Sequence, residues 1–164
     1  MNYPPFDSFP VLSSETVLLR ELTYADADAL LEIFTYNGKF AKNVSDVIEM
    51  LDRIDDNYRS GDSINWGIVD KASGEIAGTC GYYRGFEDET GEIGFILRPA
   101  WRGKGWMSEA LKLAVAYGKD ELQLKRVIAI TLKSNTAARK LLERNSFRYV
   151  EELFDDYLEF EFIR

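Results

Sequence analysis

The sequence contains no histidine and a single cysteine, Cys80, among its 164 residues. Without histidine neither a Ser-His-Asp triad nor a Cys-His pair can form, because each needs an imidazole base. One cysteine excludes an internal disulfide and is compatible with a reducing compartment, so we expect a cytoplasmic protein. Zinc sites are built mainly from thiolates and imidazoles, and we therefore expect no metal.

Long apolar runs are also missing, and positive charge is scarce. No segment approaches the length of a membrane-spanning helix, and residues 1–13 lack the basic and apolar regions of a signal peptide. The chain has 28 acidic and 20 basic residues, a net charge of −8. This acidity argues against a nucleic-acid partner, and we expect no membrane partner either.

The pattern of apolar residues predicts one α+β domain over residues 1–164, with residues 1–13 as an irregular lead-in. The predicted order is strand, two helices, three strands, helix, strand, helix and two strands. Short connections make the three central strands an antiparallel meander, and the following strand–helix–strand unit implies a parallel crossover. The result is a mixed sheet flanked by helices.

Several local features of the first half can be predicted from its capping and turn residues. Thr23 is expected to cap a helix that runs to Phe34, and Ser45 is expected to cap the second helix. The intervening Tyr36–Asn43 segment is predicted to be a polar loop. Gly74 is expected to adopt a positive φ in a hairpin turn.

The most informative segment is Arg98–Leu111, where a predicted strand enters a turn with two glycines and an amphipathic helix follows. Gly103 and Gly105 let the backbone approach a ligand closely, and the first N–H groups of the helix lack partners. The helix dipole favours an anion at this end, and Arg102 and Lys104 add positive charge. The segment therefore predicts a phosphate-binding turn.

Two common phosphate-binding motifs do not fit this turn. A P-loop needs Lys-Ser/Thr after its last glycine, whereas Trp106 and Met107 follow Gly105. The dinucleotide fingerprint needs a third glycine where Ser108 stands, and it opens on the first strand of a domain.

The segment Arg102–Met107 resembles the acetyl-CoA signature Arg/Gln-x-x-Gly-x-Gly/Ala of the GNAT acetyltransferases. Thr16–Asp28 resembles the opening strand and helix of that family, particularly its RimJ/RimL-like branch. Glu92–Phe95 is similar to the fourth strand, and Asn135–Phe147 to the second cofactor motif. The resemblance covers nearly the whole chain and implies a GNAT-like fold and acetyl-CoA-dependent transfer to a primary amine.

The resemblance also implies which residues bind acetyl-CoA. The backbone of the turn would hold the pyrophosphate, the end of the preceding strand would pair with the pantetheine arm, and Asn135 would hydrogen-bond that arm. The implied positions are Ile96, Leu97, Arg102, Gly103, Lys104, Gly105, Trp106, Met107, Asn135, Ala138 and Arg139. The alternatives are an ordinary strand end at Leu97, a simple N-cap at Asn135 and a solvated Arg139.

Glu92 is the candidate catalytic base, since a family glutamate at this position accepts the proton of the amine. Alternation places Glu92 on the strand face opposite Ile93, where a carboxylate near an apolar slot has a raised pKa. The alternative is a solvent-facing glutamate. The usual acid is missing, because Leu142 and Ala138 replace the family tyrosine or serine. Ser134 is a nearby hydroxyl, although a serine there is usually a loop or cap residue. The alternatives are that water protonates the thiolate or that the reaction needs no acid.

The acceptor is expected to be a small amine or a protein N-terminus, bound beside the Tyr36–Asn43 loop and Leu153–Tyr157. Five acidic residues are candidates for attracting a cation, and three aromatic residues for flanking it. They are Glu87, Asp88, Glu89, Asp155, Asp156, Tyr82, Tyr83 and Phe86. The alternating last strand, 157–163, could pair across a homodimer or lie inside the sheet. A non-catalytic acyl-CoA-binding or sensor module is the alternative function.

Overall fold

The computed structural model describes residues 2–164, and an eight-stranded sheet organises them. The strands of this sheet are β1 (Leu12–Ser13), β2 (Val17–Glu21), β5 (Ile64–Asp70), β6 (Ile76–Tyr83), β7 (Thr90–Leu97), β8 (Arg126–Leu132), β9 (Phe147–Glu152) and β10 (Tyr157–Phe162). A separate hairpin consists of β3 (Thr35–Tyr36) and β4 (Lys39–Phe40). The α-helices are α1 (Ala27–Leu30), α2 (Val44–Arg59), α3 (Trp106–Asp120) and α4 (Thr136–Arg144).

The sheet is antiparallel except at its centre. Its order is β1-β2-β5-β6-β7-β8-β10-β9, and only β7 and β8 are parallel. Their ladder joins Thr90–Glu92 to Arg126–Ile128 and ends there, so the rest of β7 faces a gap. These features confirm the predicted α+β mixed sheet, its meander and its parallel crossover. They also place β10 inside the sheet, with β9 at the edge.

The two faces of the sheet carry separate apolar clusters. One lies under α3 and α4 and includes the buried side of α3, as the spacing of its apolar residues predicts. The residues of that side are Met107, Ala110, Leu111, Ala114, Val115 and Gly118. The N-terminal lead-in packs on the same cluster, where Trp66 Nε1 donates to the Pro10 carbonyl at 2.9 Å. The second cluster lies under α1 and α2.

The predicted starts and ends of the first two helices are partly wrong. Asn43, not Ser45, caps α2, because its Oδ1 accepts the Asp46 N–H at 2.9 Å. Ser45 therefore lies within the first turn of the helix. The first helix is a 3₁₀ turn followed by the four-residue α1, so it ends before Phe34.

The segment Tyr36–Asn43 is more ordered than the predicted loop. It contains most of the β3–β4 hairpin, whose turn residues Asn37 and Gly38 have φ values of 50° and 75°. Such left-handed values are typical of a two-residue hairpin turn.

No helix within residues 2–164 is long and apolar enough to cross a membrane.

Candidate functional site

A cavity of about 720 Å³ lies on the α1–α2 face of the sheet, beside β7. Residues after α1, the β3–β4 hairpin and α2 form one wall, and strands β5 to β7 form the other. Polar groups on its walls include Asn57, Asn65, Thr79 and Tyr83. The cavity therefore combines an apolar wall with buried amides and hydroxyls, as small-molecule sites commonly do.

The alternation of β7 points its residues to the two faces of the sheet. Glu92, Gly94 and Ile96 line the cavity, whereas Ile93 and Leu97 pack in the cluster under α3. Glu92 therefore faces the cavity, on the strand side that the sequence predicts. It is also the last residue of the β7–β8 ladder, so its carboxylate lies where the gap begins.

Arg84 forms an ion pair with the carboxylate of Glu92. The Arg84 Nη1 lies 3.2 Å from Glu92 Oε1 and 3.3 Å from Oε2. The Glu92 side chain is 19% exposed and that of Arg84 is 73% exposed. Burial raises the pKa of Glu92 above its ordinary value, Arg84 opposes the rise by stabilising the charged form, and nearby Glu159 adds to it. A carboxylate with a raised pKa is a stronger base.

Tyr83 forms part of the cavity wall next to Glu92. The two residues are register partners across β6 and β7, and the Tyr83 hydroxyl donates to Asn65 Oδ1 at 3.0 Å. Burial raises the pKa of Tyr83, so the hydroxyl stays protonated. The Tyr83 ring lies against Gly94, where an added Cβ would be 2.5 Å from Tyr83 Cε2.

Replacing Gly94 by alanine is expected to displace the Tyr83 ring and weaken its hydrogen bond to Asn65. We expect a loss of about 1–3 kcal/mol in the free energy of unfolding, as for other overpacked sites, measured by denaturant titration. In a Tyr83→Phe background the ring has no anchor, so the same substitution should cost less. Strictly additive losses in the double-mutant cycle would contradict this packing.

The edge of β7 beyond Glu92 presents backbone groups to the gap. The Arg98 N–H donates to the Ala77 carbonyl of β6 at 2.8 Å, so the backbone groups of Arg98 point toward β6 and away from the gap. Since successive residues direct their backbone groups to opposite sides, those of Phe95 and Leu97 point into the gap. One of them, the Leu97 carbonyl, accepts from Arg102 Nε at 3.1 Å.

The glycine turn follows directly and ends at the start of α3. Gly103 and Gly105 have φ values of 75° and 86°, and a Cβ at either would have no atom within 4 Å. The turn is therefore open on its outer side, and Trp106 begins the helix. Arg102 and Lys104 are exposed there. The geometry matches the phosphate-binding turn that the sequence predicts.

Two buried side-chain nitrogens have no hydrogen-bond partner within residues 2–164: Trp106 Nε1, at the start of α3, and Arg139 Nε, on α4. Buried polar groups are normally paired, so the unpartnered Trp106 donor, which directly follows the open turn, is consistent with a polar ligand there. Asn135 caps α4, since its Oδ1 accepts the Ala138 N–H at 3.1 Å. The Arg139 Nη1 donates to the Lys133 carbonyl at 3.0 Å.

The structure does not bring Ser134 to Glu92. Ser134 is exposed in the turn between β8 and α4, and it is not one of the residues that line the cavity. Leu142 is fully buried in the core. The role of Ser134 as a proton donor stays a prediction.

Burial raises the pKa of the Cys80 thiol to about 12, which makes this thiol a poor nucleophile.

Only part of the predicted acceptor surface lines the cavity. Tyr36 and its hairpin neighbours do, and so does Tyr83. The segment Leu153–Tyr157 and the acidic residues of both loops do not; Glu89 instead pairs with Lys125. Tyr82 and Phe86 are core residues, and the Tyr82 hydroxyl donates to the Ala114 carbonyl at 2.9 Å. Charge and aromatic character alone did not reveal which residues face the cavity.

Arg84 and Asn65 also line the cavity, and the motifs of the sequence predict neither of them as a site residue. The signal for Arg84 was the short β6–β7 connection, since an antiparallel register that pairs Tyr83 with Glu92 brings its neighbour Arg84 close to that carboxylate. No pattern in the sequence predicts that Asn65 faces the cavity, because all seven residues of β5 are buried and the strand has the pattern of an ordinary core strand.

The comparisons with known proteins agree with this geometry. Residues 16–148 match the family described as acetyltransferase (GNAT) domain. The chain is 33% identical over 155 residues to the uncharacterized N-acetyltransferase p20 of Bacillus licheniformis, covering 89% of this chain and 86% of p20. It is 26% identical over 161 residues to the [Ribosomal protein uS5]-alanine N-acetyltransferase of Escherichia coli, covering 90% and 82%.

A solved structure shows the same fold. Mycobacterium smegmatis RimJ, in complex with CoA-disulfide, superimposes with a TM-score of 0.80 at 20% identity, covering 93% of this chain and 85% of RimJ. The family match over residues 16–148 and the shared fold point to the same conclusion. The chain belongs to the GNAT acetyltransferase family and is an N-acetyltransferase.

Proposed function

We propose that this enzyme transfers the acetyl group of acetyl-CoA directly to a primary amine bound in the cavity beside β7. The observation that carries the proposal is the coincidence of three features at one point. The β7–β8 ladder ends at Glu92, the free edge of β7 leads to the open glycine turn, and the cavity opens on the same residues.

The chain offers a matching surface for each part of acetyl-CoA. The N–H groups of residues 103–107 would hold the pyrophosphate, with Arg102 and Lys104 adding positive charge to an acidic protein. The gap-facing groups of Phe95 and Leu97 would pair with the amides of the arm, as an added strand pairs with a sheet edge. The sequence motif adds Ile96, Asn135, Ala138 and Arg139 to this path, and Trp106 Nε1 and Arg139 Nε are buried donors without a partner among residues 2–164.

Glu92 would prepare the acceptor for attack. An ammonium group has no free electron pair, so one proton must leave before a C–N bond can form. The half-buried carboxylate of Glu92 accepts that proton directly or through water, and burial makes it more basic. The neutral amine then attacks the thioester carbonyl, and the C–S bond breaks as the C–N bond is completed. The nitrogen loses its second proton to water, and the thiolate takes a proton from water, so the products are the amide and the free CoA thiol.

The sensor alternative is less well supported than catalysis. A sensor needs the acyl-CoA surface but no amine site, whereas this chain places a carboxylate with a raised pKa in a cavity at the end of that surface. Absence of the family tyrosine removes an acid and not the base, and a thiolate is a competent leaving group in water.

Calorimetric titration with acetyl-CoA tests the proposal at its first step. We expect one saturable site, whose affinity falls as the salt concentration rises because phosphates are bound partly by charge. CoA should compete for the same site. Absence of both a heat signal and a thermal shift at millimolar acetyl-CoA would refute the proposal.

A further inference from the structure

Arg84 is the only basic side chain among the residues that line the cavity in the described part of the chain. The acidic side chains there are Asp62 and Glu92. A cation in an amine-binding cavity is unexpected, because it repels the ammonium form of any acceptor. The position of Arg84 beside the proposed base therefore bears on which acceptor the cavity binds.

The backbone fixes the position of Arg84. It follows the last residue of β6 with a φ of 63°, and Gly85 follows with a φ of 80°. The Gly85 N–H donates to the Asp62 carbonyl at 2.7 Å, which ties this turn to the segment after α2. A left-handed backbone is unfavourable for arginine, so the turn holds it in a conformation that the isolated chain would avoid.

We propose that the acceptor is a free α-amino acid, whose ammonium group binds Glu92 while its carboxylate binds Arg84. The inference rests on the proposed function and names the acceptor class for the same site. The charged atoms of Arg84 and Glu92 lie 3.2 Å apart. The two charged groups of an α-amino acid are attached to one carbon, so they are also close neighbours.

The chemistry of arginine supports this pairing. A guanidinium has five N–H donors in a planar fork, so Arg84 can bind a second carboxylate without releasing Glu92. The exposed Arg84 head can reach a ligand from the mouth of the cavity, whereas Glu92 is closer to the end of the β7–β8 ladder. An amino acid bound in this way places its amine toward β7 and its carboxylate toward solvent.

Other amines fit the pair less well. A peptide N-terminus carries an amide where the amino acid has its carboxylate, so Arg84 would gain no charged partner. A diamine or polyamine would bring a second cation against Arg84. The side chain of the amino acid would then face the rest of the wall, which includes Asn57 and Ser63.

The test compares each amino acid of a panel with its own primary amide, using release of CoA thiol in the presence of acetyl-CoA. The wild-type enzyme should show a kcat/KM at least tenfold higher for the acid than for the amide of its best substrates. Arg84→Gln should bring that ratio close to one, and Arg84→Lys should give an intermediate ratio. Any general effect of these variants on Glu92 cancels in the ratio.

Arg59→Gln is the matched control. Arg59 lies on α2, its side chain is 72% exposed, and it is not part of the cavity wall. The acid-to-amide ratio of this variant should equal that of the wild type. Acetyl-CoA titration of each variant shows whether it is folded and retains the donor site.

The outcomes separate the two proposals. Equal rates with acids and amides, turnover of peptide N-termini alone, or a ratio unchanged by Arg84→Gln would overturn the amino-acid inference and leave the acetyltransferase proposal standing. If no class of amine gives any release of CoA thiol, both proposals are contradicted.

Discussion

Replacement of Glu92 by glutamine is expected to lower kcat/KM for the acceptor by about 10²- to 10⁴-fold, the range for loss of a general base. Glutamine keeps the size of the side chain but cannot take a proton from the ammonium group. The affinity for acetyl-CoA should stay within about twofold, because Glu92 lies outside the glycine turn. Initial rates of thiol release and calorimetric titration measure the two effects.

The pH profile distinguishes a catalytic role from a structural one. Glu92 must be ionised to act, so activity should fall as the pH drops through its pKa, which burial raises above its ordinary value. Glu92→Gln should lose this inflection and keep the one that belongs to the acceptor amine. Glu87→Gln, an exposed acid outside the cavity, is the control and should behave as wild type. An unchanged rate in Glu92→Gln would remove Glu92 from the mechanism.

Replacement of Gly103 by alanine is expected to weaken acetyl-CoA binding at least tenfold, about 1.4 kcal/mol or more. A methyl group on the open side of the turn would stand where the N–H groups must approach the pyrophosphate. The substitution also strains the backbone, since φ is 75° and a left-handed conformation costs a non-glycine residue roughly 1–2 kcal/mol.

Gly74 supplies a matched control for that strain. Its φ is 76°, and a Cβ there also has no atom within 4 Å, but the residue lies in the β5–β6 turn outside the cavity wall. Gly74→Ala and Gly103→Ala should therefore lower the melting temperature by similar amounts, while only Gly103→Ala weakens acetyl-CoA binding. Equal affinities in the two variants would show that the glycine turn does not hold the donor.

Residues with strong local patterns made most of the fold predictable. The buried side of α3 follows directly from the helical spacing of its apolar residues, and Gly74 has the positive φ expected of its turn. The helix starts were harder, because Asn43 and Ser45 are both good caps and only the observed hydrogen bond to Asp46 distinguishes them. The β3–β4 hairpin is only two residues long on each side, too short to give an alternating pattern.

The candidate site was predictable where it depends on one segment of chain. The glycine turn and the face of β7 that carries Glu92 are of this kind, since each follows from neighbouring residues. The short β6–β7 connection indicates only that Arg84 and Glu92 are near each other; their ion pair also depends on the exact strand register and on the left-handed backbone at Arg84, which a single sequence does not display. The predicted acceptor surface depends on tertiary packing in the same way: the β3–β4 hairpin lines the cavity, whereas Leu153–Tyr157 and the acidic loops do not.

The most direct test of the account is to measure, in one reaction, the CoA thiol released from acetyl-CoA and the acetylated amine formed. Direct transfer predicts equal amounts of the two products over the time course with wild-type enzyme, and a parallel loss of both in Glu92→Gln. Saturable binding of acetyl-CoA without thiol release across amino acids, small amines and peptides would contradict the account. That result would instead identify a binding module built on the same fold.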